Sequence, residues 1–253
     1  MGSFEWKIHH TGSSGNCATI KVGGMVIMID AGKSYKTILP KLDGVDFILY
    51  SHRHGDHLGK SAYKSIRLLH PNITTITNQD VSDFVTGLGY PEPDYIIKAS
   101  DRLFLGDLTI NVFENYHGAN EDYVETNGYL FSYFSEHLLF ATDLSTAIEY
   151  EEYLREHNIK LDVCLLEANY NEDVLSFYTD WGYHNGYDLH TYGAVRHHST
   201  GQYNKFVAEF LKPDGYAREL HTSASFHDFD GLVRRDTKVT WEDVRAWQRL
   251  NEL

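Results

Sequence analysis

The stretch SHRHGDH places His52, His54, Asp56 and His57 within six residues. Imidazole and carboxylate groups are the donors that divalent transition metals take from a protein lacking a cysteine cluster. On a loop leaving a strand, His52 and His54 stand two apart and can point to one side, while Asp56 and His57 lie further on and can face a second ion. The spacing therefore suits two metals. A polar turn that is merely rich in histidine is the plainer alternative, since the chain holds 15 histidines.

Two ions need more donors than these, typically about four to six each, with a carboxylate between them and a place left for water. Three further residues stand just past strand-like runs: His117 after NVFENY, Asp143 after HLLFAT, and His221 after a short run ending in Leu220. Each taken singly reads as an ordinary capping or surface residue, and it is the set that points to a shared site.

The series HxHxDH, a later His, an Asp and a terminal His resembles the metallo-β-lactamase superfamily from Phe4 to about Ser223. TGSSGNC, MIDAG, LLEANYNEDVL and RHHST before a helix leading to LHTSAS are similar to its ribonuclease Z and YycJ-like branch, which includes phage phosphodiesterases that destroy cyclic-nucleotide immune signals. This resemblance implies an α/β fold, a four-layer αββα sandwich with the site at one rim. It also implies a homodimer and two divalent ions, zinc foremost and manganese as the other candidate. His52, His54 and His117 would hold the first ion, Asp56, His57 and His221 the second, and Asp143 would bridge. Asp30 in MIDAG matches the position that braces the metal loop by hydrogen bonds, with turn capping as an equal alternative.

RHHST resembles the branch's element whose histidine acts on phosphate. His197 matches the distance to the following helix and to His221, whereas His198 stands directly before Ser-Thr. Neighbouring side chains at a helix start diverge by about 100°, so both do not reach one phosphate oxygen; His197 is favoured. Asp56 counts with these two histidines among the catalytic residues, and Glu167 in LLEAN either braces the site or caps a turn. The chemistry implied is hydrolysis of a phosphodiester by a hydroxide activated between two ions, with His197 or His198 serving the leaving oxygen or the charge on phosphate.

The whole chain, 1–253, reads as one domain: no repeat or Pro/Ser-rich linker divides it, and 42% hydrophobic with 23% charged residues is ordinary globular composition. No leader pattern and no apolar run near ~20 residues is present, so a soluble cytoplasmic protein without membrane contact is expected. Cys17 and Cys164, far apart, indicate neither a disulfide framework nor a zinc knuckle. A net charge of −14 weighs against a long electrostatic track for a polyanion. The expected substrate is thus a small, cyclic nucleotide; a DNA or RNA nuclease is the alternative, and a non-catalytic nucleotide binder the third reading. Asp143 to Asp173 holds nine acids and two bases and reads as a solvated outer face.

The elements that must position these groups follow from periodicity. Phe4–His9, Ala18–Val22, Met25–Asp30, Asp46–Ser51, Ile73–Thr77 and Leu161–Leu166 read as strands, as do the runs LTINVF, GYLFSYF and HLLFAT. SYKTILPKL predicts a helix after Ser34 that Pro40 cuts short, and NQDVSDFVTGLG, GQYNKFVAEFL and TWEDVRAWQRLNEL predict helices, the last capped by Thr240. In FYTDWGYHNGYDLHTYG, Tyr178, Trp181 or Tyr183 could stack on a base, although filling a core or a dimer interface is the stronger reading. His9, His10, His70, His137, His157, His184, His190 and His227 read as structural or exposed.

Overall fold

The computed structural model describes residues 3–118, 123–186 and 191–251. Two six-stranded sheets face each other. The first is ordered β1 (Glu5–His10), β2 (Cys17–Val22), β3 (Met25–Ile29), β4 (Phe47–Leu49), β5 (Thr74–Thr77) and β6 (Tyr95–Ile96). The second runs in space from β12 (Leu211–Leu220) through β11 (Leu161–Glu167), β10 (Glu136–Ala141), β9 (Asn127–Tyr133) and β8 (Leu108–Glu114) to β7 (Arg102–Leu105). The helices are α1 (Tyr35–Ile38), α2 (Lys60–Leu69), α3 (Gln79–Gly87), α4 (Ile148–Glu156), α5 (Glu172–Asn185), α6 (Thr200–Phe210), α7 (Phe229–Arg235) and α8 (Trp241–Leu250).

The sheets are antiparallel along β1–β2–β3 and β7–β8–β9–β10 and parallel where a helix must return the chain. β10, β11 and β12 are parallel, with α4, α5 and α6 lying in the connections. The central strands are apolar on both faces, as strands covered twice must be. Along β10, Leu138 and Phe140 point into the core between the sheets, while Leu139 and Ala141 pack beneath α4 and α6. β3 divides in the same way, with Ile27 and Ile29 inward and Met28 under α1 and α2. The result is the expected αββα sandwich, with α1–α3 outside one sheet and α4 and α6 outside the other. A smaller cluster joins α5, α7 and α8 through Phe177, Leu232 and Val244.

The acidic stretch is not a continuous solvated face. Asp143 and Glu167 are buried and β11 lies inside the second sheet; Glu152 and Glu156 on α4 are exposed. Among the described residues no helix is long and apolar enough to cross a membrane. Both cysteines are buried and unpaired. Tyr178 and Trp181 lie on α5, where Tyr178 packs on Phe226 and donates a hydrogen bond to Asp236 at 2.8 Å, so core filling describes it. His190 lies outside the described residues.

Candidate metal centre

The site lies at one rim, where β3, β4, β10, β11 and β12 reach their carboxyl ends. β4 delivers Ser51 and the HRHGDH loop, and β3 delivers Asp30. Loops after β8, β10 and β12 deliver His117, Asp143 and His221. Asp30, Asp143 and His221 have φ of +59°, +55° and +50°. Positive φ in side-chain-bearing residues costs free energy and is held only where surrounding structure enforces it, as it is at functional sites.

All seven expected donors converge. One donor atom from each of His52, His54 and His117 lies within 4.8 Å of the others, and the same holds for Asp56, His57 and His221. Asp143 stands between the two groups. Its Oδ2 is 2.8 Å from His57 Nε2, and its Oδ1 is 3.8 Å from His117 Nε2 and 3.6 Å from His221 Nε2.

The ring orientations are set from behind. Asp30 Oδ2 lies 2.6 Å from His57 Nδ1 and its Oδ1 accepts from Ser51 N at 2.7 Å, so a proton on Nδ1 leaves His57 Nε2 as a donor atom toward the centre. Glu167 plays the matching part on the other side. Its Oε1 is 2.8 Å from both His221 Nδ1 and His197 Nδ1, and its Oε2 accepts from Leu144 N at 2.9 Å. His197 and His198 diverge. The His197 ring sits 5.2 Å from the rings of His117 and His221, and His197 can join Asp143, Glu167 and His221 around an ion. His198 is buried, with Nδ1 3.1 Å from the main-chain oxygen of Glu167.

Several residues of this arrangement carried no sequence signal of their own. Asn16 Nδ2 lies 2.7 Å from His57 Nε2, Asn169 Nδ2 donates to the His221 carbonyl at 2.7 Å, Thr11 Oγ1 accepts from His221 N at 2.8 Å, and Ser51 Oγ touches Asp30 and His52. Thr11 and Asn16 stand in TGSSGNC, Asn169 in LLEANYNEDVL and Ser51 at the end of the strand Asp46–Ser51, where residue type alone gives them no ligand-holding part.

Electrostatics divide the donors in two. Burial lowers His52, His54 and His117, the last to about 4, leaving them neutral. Burial opposes charge on His57 as well, yet Asp143 and Asp30 outweigh it and push that ring up to about 10. His221 is raised against burial by Asp143, Asp56 and Glu167, and His197 by Glu167. Glu167, despite its burial, is held down to about 2 by His197 and His221.

These residues fit divalent ions on two observations. Asp30, Asp56, Asp143 and Glu167 have only histidine nitrogens as ion-pair partners among the described residues, leaving four carboxylates without a lysine or arginine. His221 Nε2 is buried without a hydrogen-bond partner. A buried group of that kind calls for a ligand.

Residues 26–204 match the family model described as "Beta-lactamase superfamily domain". The exodeoxyribonuclease WalJ of Streptococcus pneumoniae is 26% identical over 182 residues, covering 68% of this chain and 65% of the relative, so the match spans just under two thirds of that protein. Among solved structures, the metallo-beta-lactamase fold protein YhfI from Bacillus subtilis superposes with a TM-score of 0.63 at 13% identity, covering 94% of this chain and 93% of that one. Human tRNase Z, short form, superposes at 0.57 with 12% identity, covering 86% and 95%. At such identities the structural likeness is one of fold.

Proposed function

Because the chain belongs to the beta-lactamase superfamily and has the metallo-β-lactamase fold, we propose that its rim holds two divalent ions, zinc foremost, and hydrolyses a nucleotide phosphodiester. The observation that carries this reading is the convergence of seven scattered donors around Asp143, with His197 beside them. Bound there, the ions would supply Lewis acidity toward a phosphoryl oxygen and a water acidic enough to attack near neutral pH.

The remaining chemistry falls to the chain's own groups. His197 has Nδ1 fixed on Glu167, which favours its charged form, so Nε2 carries a proton for the departing oxygen. Glu167 fixes the angle of that ring and of His221 together. Asp56 is the less buried carboxylate of the donor set and is placed to take the proton of an attacking water. Asp30 and Ser51 hold the His57 side rigid, which limits reorganisation during reaction.

Two substrate sizes are compatible with this centre. A small 3′,5′-cyclic nucleotide accords with the net charge of −14. A polynucleotide accords with the relative WalJ, an exodeoxyribonuclease. Purified chain loaded with zinc or manganese, assayed against matched cyclic mononucleotides and single- and double-stranded oligonucleotides, tests the reading. Hydrolysis of at least one class, abolished by EDTA and by His54→Ala, is expected; no turnover on the full panel would remove it.

A further inference from the structure

The net charge hides an asymmetry. The first 70 residues carry nine Lys and Arg against five Asp and Glu, and of those acids Asp56 belongs to the metal centre and Asp30 is held against His57 behind it. The acidic excess therefore belongs to the rest of the chain. β1 leads directly to it: the strand ends at His10, and the next residue, Thr11, holds the main chain of His221. Trp6 and Ile8 pack on the core between the sheets, so by alternation Lys7 faces outward; a register shift between Ile8 and His10 then brings His9 Nε2 to 3.0 Å from Thr19 Oγ1 and sets His10 opposite Cys17 of the outer core, so that both rings lie on the Lys7 side. Across the ladder Lys7 pairs with Thr19, and Lys21 with Glu5 at the far end.

His9 is held down at about 4, by burial first and then by Lys7, Lys41 and His10; His10 is lowered by burial, Lys41 and Lys33. No carboxylate appears among those influences, with Glu5 two or more residues back on the strand and Asp43 exposed just beyond Lys41. Lys33 folds its stem over Gly15 toward the Ser14 carbonyl, on the loop that carries Asn16. Lys7, Lys33 and Lys41 have no ion-pair partner among the described residues, whereas Arg53, Arg67, Arg155 and Lys212 do. His10 Nε2 is buried with no hydrogen-bond partner.

We infer that Lys7, His9, His10, Lys33 and Lys41 form a track for the phosphate backbone of a single nucleic-acid strand whose terminal phosphodiester reaches the metal centre. That the strand is cut there rests on the phosphodiesterase reading above; that it binds along β1 does not. From Lys7 to Thr11 the strand spans about 13 Å, long enough to pass more than one phosphate. Lysines without an ion-pair partner supply charge, Lys33 and Lys41 while each also donates to a main-chain carbonyl, of Ser14 and Thr37, and the two neutral imidazoles can donate to phosphate oxygens from Nδ1, His9 Nε2 being engaged by Thr19 and His10 Nε2 buried. The contacts are to the phosphate backbone, so binding is insensitive to base sequence. A cyclic mononucleotide would end at the metals and leave these groups unused.

The test compares the zinc-loaded chain with Lys7→Glu/Lys41→Glu, neither residue being part of the centre, by fluorescence anisotropy with 5′-fluorescein-labelled dT12 at 4 °C, extrapolated to time zero. The double variant is expected to bind roughly tenfold more weakly at low salt, and its log K against log salt to be shallower by about 1.4, at ~0.7 for each lost phosphate contact. Turnover of bis(p-nitrophenyl) phosphate is expected to be unchanged, and Lys7→Gln/Lys41→Gln to lie between. Equal dT12 affinity and equal salt slope in parent and charge-reversed chain would overturn the track. So would dT12 binding by the parent no tighter than that of thymidine 5′-monophosphate. If dT12 binding behaves as expected while no phosphodiester is cut, the track stands and the catalytic reading falls.

Discussion

His197 and His198 are neighbours in sequence with opposite surroundings, and their substitution should separate chemistry from stability. His197 faces the donor cluster with Nδ1 on Glu167. His197→Ala is therefore expected to lower kcat by about 10²–10⁴-fold, the usual scale for a lost general acid, while the protein keeps its metals by elemental analysis. His198 is tied to the Glu167 carbonyl, so His198→Ala should leave kcat near the parent value and cost about 1–3 kcal/mol in urea unfolding, the scale of a buried unmet partner. The reverse pattern would exchange their roles. Asp30 offers a second test, since it anchors both His57 and Ser51. Asp30→Ala should weaken metal affinity about 10–100-fold, read by competition with a chromogenic chelator; unchanged affinity would reduce Asp30 to a turn residue. Residues such as HRHGDH were legible because loop ligands are close in sequence. Asn16 and Asn169 were not, because they meet His57 and His221 across 41 and 52 residues, a proximity created by the fold.

Elements were legible where a local rule dominates. Pro40 ends α1 after four residues, passing into a 3-10 turn, because its ring cannot continue the hydrogen-bond ladder. Asn78 caps α3 and Ser199 and Thr240 build reciprocal caps for α6 and α8, as side-chain oxygens at those positions should. α2, α4, α5 and α7 were not foreseen. α2 starts at Gly59 with no side-chain cap, α4 starts at Ala147 also without one, and α5 mixes aromatic and charged residues with a weak apolar stripe that reaches outward to α8. α2 does carry an apolar stripe at helical spacing, Ala62, Tyr63 and Ile66, whereas α4 and α5 draw their helicity from tertiary packing, which sequence windows do not hold. α8 nevertheless depends on its cap: Thr240 Oγ1 accepts from Asp243 N, and Trp247 Nε1 then reaches Asp180 on α5 at 2.9 Å. Thr240→Ala is expected to cost about 1 kcal/mol, a fall of roughly 2–4 °C in Tm for a chain of this size, with bis(p-nitrophenyl) phosphate turnover intact because no centre residue lies on α8. A loss of turnover at equal metal content would tie α8 to the site.

At the scale of the whole molecule, proton and metal compete for the same rings, and the competition has a sign. His57 is raised from 6.5 to about 10 by Asp143 and Asp30 against its burial. Its protonated form therefore contributes stability to the metal-free fold that is fully present below about pH 6.5 and is lost as pH rises through about 10. His221, raised by Asp143, Asp56 and Glu167, acts in the same direction. Metal binding needs both rings deprotonated toward the centre, so each displaced proton weakens binding by about 1.4 kcal/mol per pH unit below its folded value. His9 works the other way. Depressed to about 4 by burial and lysines, it withdraws stability as pH falls from 6.5 toward 4, but equally from loaded and metal-free chain, and so cancels from their difference. The Tm gained on adding zinc to EDTA-treated protein should consequently widen between pH 6.5 and 8.5, since metal-free stability drains while metal affinity climbs. Differential scanning fluorimetry at fixed zinc activity reads this gap directly. A gap that stays flat or narrows over those two units would mean that His57 and His221 do not meet a metal, and the second ion would lose two of its four ligands, Asp143 included.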